Sequence, residues 1–125
     1  MPQTDVIFYR DDDGSVPVLE WIDALQQPSL IDKATARIDL LEQYGHELRR
    51  PHSAPLRDKV HELRWKVGRV NYRILYFFHG QKAVVLAHGC TKEAEVDTDD
   101  IDRAIRRRNR FVADPDGHTH REDES

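Results

Sequence analysis

The chain has a single cysteine, Cys90, in 125 residues. One thiol excludes an internal disulfide framework and cannot make a zinc site alone. No apolar run approaches the roughly 18 residues that a membrane helix needs, so no membrane contact is expected. The first residues lack the basic segment and apolar run of a secretory signal. There are no internal repeats. These absences leave one domain in the cytoplasm as the expectation.

Each part of the chain is poor in charge of one sign. Residues 1–45 hold 3 basic and 9 acidic side chains, and residues 93–125 hold 6 and 11. Between them, residues 46–92 hold 10 basic and 3 acidic. The net charge of −4 therefore hides a basic middle flanked by acidic ends. Such a middle suits an anionic ligand, although a solvated charged face gives the same count.

Residues 5–9 (DVIFY) read as a strand. Ser15 is placed to cap a helix with Pro17 in its first turn. Pro28 is expected to end that helix and Ser29 to cap the next. In the second helix Leu30, Ile31, Ala34, Ile38, Leu41 and Tyr44 recur near the 3.6 period, until Gly45 stops it. The apolar stripe of this helical hairpin calls for a sheet face to cover. Residues 46–59 have no period and two prolines, and read as a loop. It carries Arg49, Arg50, Arg57 and Lys59, which suits a phosphate-binding flap or a solvated connector equally.

Residues 60–88 read as a three-stranded antiparallel meander. Leu63, Trp65, Tyr72, Ile74 and Tyr76 belong to one face, and Glu62, Arg64, Lys66, Asn71 and Arg73 to the other. A two-residue turn at Gly68-Arg69 pairs Arg64 with Arg73 and Lys66 with Asn71, and Gly-X suits a type II′ hairpin. A second two-residue turn at Gly80-Gln81 would pair Phe77 with Val84, Leu75 with Leu86 and Arg73 with His88. The expected row across the sheet is then Arg64, Arg73, His88, with Lys66, Asn71 and Cys90 in the next row. Opposed arginines cost a sheet about 0.2–1 kcal/mol. A fold gains nothing from them, whereas a phosphate site does. A last helix is expected from Asp99 to about Val112, its acids at the N-terminal end and Arg106, Arg107, Arg108 and Arg110 at the other. That arginine run is most simply a solvated terminus, with RNA backbone contact as the alternative. Residues 114–125 are acidic and expected to be disordered; His118 and His120 there lack the scaffold of a metal site.

Glu62-Leu63-Arg64-Trp65, Tyr72-Arg73-Ile74, Tyr76-Phe77-Phe78 and His88-Gly89 follow one another in an order that resembles the RelE/ParE toxin superfamily. Pro51-His52, Leu56 and the run from Ala104 to Arg108 are similar to its HigB-like, phage-derived branch. The resemblance spans residues 5–112. It implies a small α+β RelE-like domain over residues 1–113. It further implies the toxin of a type II toxin–antitoxin pair: a ribosome-dependent mRNA endonuclease that needs no metal or other cofactor. The implied partners are the ribosome with its mRNA and a cognate antitoxin of helix-turn-helix type. Arg73 matches the arginine of the family's Tyr-Arg motif, Arg64 a basic position on the preceding strand, and Lys92 the basic position after the last strand. His88 is the expected proton donor, because it shares a predicted row with Arg73 and titrates near neutrality. Lys66, Asn71, Arg49, Arg50 and Arg57 are the expected RNA contacts. The sequence departs from the branch after the last strand, where Lys92 stands alone in place of paired lysines and acids follow it, and from RelE at Glu62, which replaces a basic residue. The same superfamily includes non-enzymatic gyrase inhibitors of the ParE type, and an inactive interaction module is the further alternative.

Overall fold

The structure, a computed structural model, describes residues 4–92 and 96–121. Its layers follow from where apolar side chains are concentrated. Strand β1 (Asp5–Phe8) is followed by helices α1 (Pro17–Asp23) and α2 (Pro28–Tyr44). Each helix opens on a proline, whose missing N–H costs nothing in a first turn. The N-caps are Val16 and Gln27, and neither makes a side-chain cap hydrogen bond. Three sequence expectations are thereby corrected. Ser29 does not cap α2, because it lies inside the helix, one residue past Pro28. Ser15 does not cap α1, because its N–H and Oγ–H both donate to Asp13 Oδ1, at 2.9 and 2.6 Å. Pro28 begins α2 instead of ending α1, and the chain reverses through Gln26 at φ +65°. Gly45 ends α2 as expected, in a positive-φ conformation that a side chain would strain.

Residues 46–59 are not a featureless loop. A 3-10 turn (Gly45–Glu47) leads to a short strand, β2 (Ser53–Pro55), which pairs antiparallel with β3 (His61–Val67). Strands β4 (Val70–His79) and β5 (Ala83–Lys92) complete the meander. The sheet order is β1-β5-β4-β3-β2, with β1 parallel to β5 and every other pair antiparallel. This is the small α+β architecture expected of a RelE-like fold.

The first hairpin has the expected register, with Arg64 opposite Arg73 and Lys66 opposite Asn71. Gly68 takes φ +62°, as a type II′ turn requires. The second hairpin does not. Its loop holds three residues, Gly80 to Lys82, and closes on His79 opposite Ala83, with Phe77 opposite Val85. Val84 and Leu86 consequently join the core under the helical hairpin, while Val85 and Ala87 face the other way. An irregularity between Leu75 and Tyr76 then shifts the register by one, so that Leu75 meets His88 and Arg73 meets Cys90. The run Ala83 to Ala87 is apolar on both faces, and such a strand carries no alternation from which register can be read.

Two cores result. Val18, Ile22, Ala34 and Leu41 of the helical hairpin pack with Leu63, Trp65, Tyr72, Ile74 and Tyr76. On the opposite face, helix α3 (Thr98–Ala113) lays Ala104 and Phe111 on Leu75, Phe77, Val85 and Ala87. The cation-bearing face is thus half covered, and is not an open basic surface. Residues 114–121, expected to be disordered, are instead built onto the body. Their 3-10 turn (Asp116–His118) buries His118, which stacks on Tyr9 at 5.2 Å, and Thr119 bridges to Tyr9.

Candidate functional site

The expected row of cations is replaced by three rows on the α3 side of the sheet. They are Glu62–Leu75–His88, Arg64–Arg73–Cys90 and Lys66–Asn71–Lys92. Arg73 sits in the middle strand at their centre and is 7% exposed. Its Nε donates to Glu62 Oε1 at 3.3 Å, and Arg64 Nη1 lies 3.6 Å from the same oxygen. Glu62 is itself 5% exposed. The opposed arginines are therefore bridged by a buried carboxylate, which offsets the repulsion expected between them. Arg64 Nε also donates to the carbonyl of Pro51 at 3.1 Å, so the loop before β2 holds its guanidinium in place.

His88 is not in the row of Arg73. It is buried, with Nδ1 accepting from Arg107 Nη1 at 3.1 Å and Nε2 2.8 Å from Asp100 Oδ1. Arginine is always a donor, so Nδ1 accepts and Nε2 carries the ring proton. Burial pushes the imidazole below its ordinary value, outweighing Asp100. Both ring nitrogens are engaged under α3, and the shared row with Arg73, from which the proton-donor expectation was drawn, is corrected. Lys92 is the last residue of β5 and not a position after it. Its Nζ lies 2.6 Å from Asp97 Oδ2 and 3.5 Å from Asp100 Oδ2, and the first of these raises its affinity for a proton. The acids at 93–95 that follow it fall outside the described residues.

The cations gather around a cavity of about 340 Å³, lined by Arg37, Pro51, His52, Arg64, Trp65, Lys66, Asn71 and Arg73. Two of its members were not expected from the sequence. Arg37 comes from α2 and donates to His52 Nδ1 at 2.8 Å, which leaves Nε2 as the protonated nitrogen. His52 was noted only as part of Pro51-His52, and Arg37 had no signal beyond its charge, since the pairing depends on how α2 packs over β3. A second cavity of about 260 Å³ reaches Glu62, Arg64 and Arg73 from the side of Arg50 and Val96. Arg50 and Arg49 also border a separate cavity on the helical-hairpin side with His46, His61, Tyr76 and Phe78. Arg49 donates to the His46 carbonyl at 2.8 Å. Arg57 is drawn away altogether, paired with Asp102 of α3 and with Asp58. Of the expected RNA contacts, Lys66 and Asn71 line the main cavity, Arg50 lines the adjoining one, and Arg49 and Arg57 line neither.

Fold and site together define a small α+β protein of the RelE type, with arginines held at the middle of an antiparallel sheet beside a cation-lined cavity. The family is given by residues 20–109, which match the model for "Phage derived protein Gp49-like (DUF891)". The chain belongs to that family, which is RelE- and toxin-like. A search of curated proteins returned no match. No helix among the described residues is long and apolar enough to cross a membrane.

Proposed function

We propose that this protein is the toxin of a type II toxin–antitoxin pair and cuts mRNA on the ribosome. The observation that supports this most is the cavity in which Arg37, Arg64, Lys66 and Arg73 converge. In this reading the RNA 2′-hydroxyl attacks the adjacent phosphate, and the 5′-oxygen leaves with a proton taken from His52 Nε2–H or from water, giving a 2′,3′-cyclic phosphate and a 5′-hydroxyl. Negative charge grows on the phosphate oxygens, where fixed cations in a half-buried site contribute most. Arg73 and Arg64 are the clamp, because Glu62 and the Pro51 carbonyl already hold them in position. An arginine stays protonated at neutral pH and so acts by charge, not as an acid. Glu62 is the carboxylate in contact with both arginines and is suited to take the 2′-hydroxyl proton. The imidazole of the cavity is His52, whose Nε2–H is available as a donor to the phosphate.

Cleavage of mRNA in a purified translation system tests the reading. Arg73→Ala is expected to lower turnover about 10²–10³-fold while the chain still folds, as read by circular dichroism. A folded Arg73→Ala protein with native turnover refutes the site, and robust cleavage of free RNA without ribosomes refutes the ribosome dependence. The burial of Glu62 between the two arginines also favours a second reading, a RelE-like interaction module in which the cations are internally neutralised. Such a module binds its helix-turn-helix partner but leaves mRNA intact. Inhibition of DNA supercoiling in its place points to a ParE-like inhibitor.

A further inference from the structure

The irregularity in β5 places His88 and Cys90 on the α3 side of the sheet, two residues apart, with Asp100 of α3 over them. One ligating atom from each of these residues lies within 4.8 Å of the others. His88 and Cys90 are buried and the Asp100 side chain is 14% exposed. Asp100 Oδ1 is engaged with His88 Nε2, but Asp100 Oδ2 is buried without a hydrogen-bond partner and faces Lys92 Nζ at 3.5 Å. Nothing in the phosphate chemistry uses Cys90.

We propose that His88, Cys90 and Asp100 bind a divalent cation of the zinc type, which ties α3 to β5. The donor set is imidazole, thiolate and carboxylate, the mixture that borderline divalent metals prefer over calcium or magnesium. Ligand atoms of a tetrahedral zinc site lie somewhat closer together than 4.8 Å, so a small closure of α3 onto the sheet brings the three into range and leaves the fourth position to a water molecule. Burial pushes the Cys90 thiol up to about 12, so binding must displace its proton to solvent; the thiolate and the Asp100 carboxylate then balance the ion's charge among the surrounding cations Lys92, Arg107 and Arg73. Metal on Nε2 displaces the proton now shared with Asp100 and moves the ring hydrogen to Nδ1. Arg107 must then leave Nδ1 for the Ala87 carbonyl, to which its Nη1 already donates at 2.8 Å. The ion is a clasp between elements and takes no part in RNA cleavage.

The test is titration of the metal-free full chain with Co²⁺, read by absorption. One equivalent is expected to give a thiolate-to-cobalt charge-transfer band in the near ultraviolet, which Zn²⁺ then abolishes by displacement. Cys90 is the one thiol of the chain, so the band reports this site and not the histidines at positions 118 and 120. Asp100→Asn and His88→Ala are each expected to weaken binding at least about tenfold. Zn²⁺ is expected to raise the melting temperature of the native chain but not of Cys90→Ser. Absence of the charge-transfer band in the native protein overturns the proposal without recourse to any variant. So does a Zn²⁺-induced rise in melting temperature that persists in a folded Cys90→Ser chain.

Discussion

Glu62 is the residue on which the chemistry of the site turns. Its place in the sequence, two residues before Arg64, suggests a weakening of the phosphate site, whereas its burial between Arg64 and Arg73 supports the proposed role of base. Glu62→Gln separates the two. The neutral amide keeps the shape and removes the charge that offsets the arginines. If Glu62 accepts the 2′-hydroxyl proton, cleavage falls about 10²-fold or more while RNA binding holds or tightens. Faster cleavage in the variant shows that the carboxylate only damps the site. His61 carries a different signal. Burial holds its imidazole below the ordinary value, and the charge of neighbouring His46 acts the same way. The unfolded chain therefore takes up a proton first as pH falls below about 6.5. Stability drops on acidification from there to the folded-state value, and rises again with pH. His61→Phe keeps a ring against Tyr76 and Phe78. It is expected to flatten the fall in melting temperature between about pH 7 and 5, where an unchanged slope excludes His61 as a source.

At the scale of elements, β5 is the strand that decides the site. It pairs with β1 on one side and β4 on the other, is covered by helices on both faces, and changes register at its centre. The register shift is what puts His88 under α3 and Lys92 level with Asn71. Gly89 lies just past it. A Cβ at that position would overlap the Trp21 ring of α1, whose indole N–H donates to Thr91 Oγ1 at 3.1 Å. Gly89→Ala is expected to destabilise the protein by about 1–3 kcal/mol through overpacking, read from urea unfolding. A variant of native stability shows that α1 can give way. Neither the period of the sequence nor its turn residues expose this contact, because it arises where two elements far apart in the chain meet.

For the molecule as a whole, closure depends on both ends of the chain. His118 stacks on Tyr9, and its Nδ1–H donates to the Arg10 carbonyl at 2.8 Å. Composition alone makes residues 114–121 a disordered tail, since they are polar and acidic. One buried ring and a bridge to Tyr9 outweigh that bias. His118→Ala is expected to cost about 1–3 kcal/mol, by leaving a carbonyl without its donor and a fully buried tyrosine uncovered. Differential scanning calorimetry reads the change, and an unaltered melting temperature shows that the clasp contributes nothing.

The sequence by itself determined the order of the main elements except β2, the helical hairpin, the first hairpin with Arg64 opposite Arg73, and the α+β class. These depend on local signals: the 3.6 period of α2, glycine at turns, and alternation of apolar with polar residues through β3 and the first half of β4. Tertiary structure decided the rest. The register of β5 is hidden, because a strand buried on both faces has no alternation to read. The pairing of Glu62 with both arginines, the enclosure of His88 and the convergence of Arg37 with His52 arise from contacts between distant segments. Charge counting can find the cations. Which of them are left facing a cavity, and which are neutralised by a carboxylate, is settled only when the helices pack against the sheet.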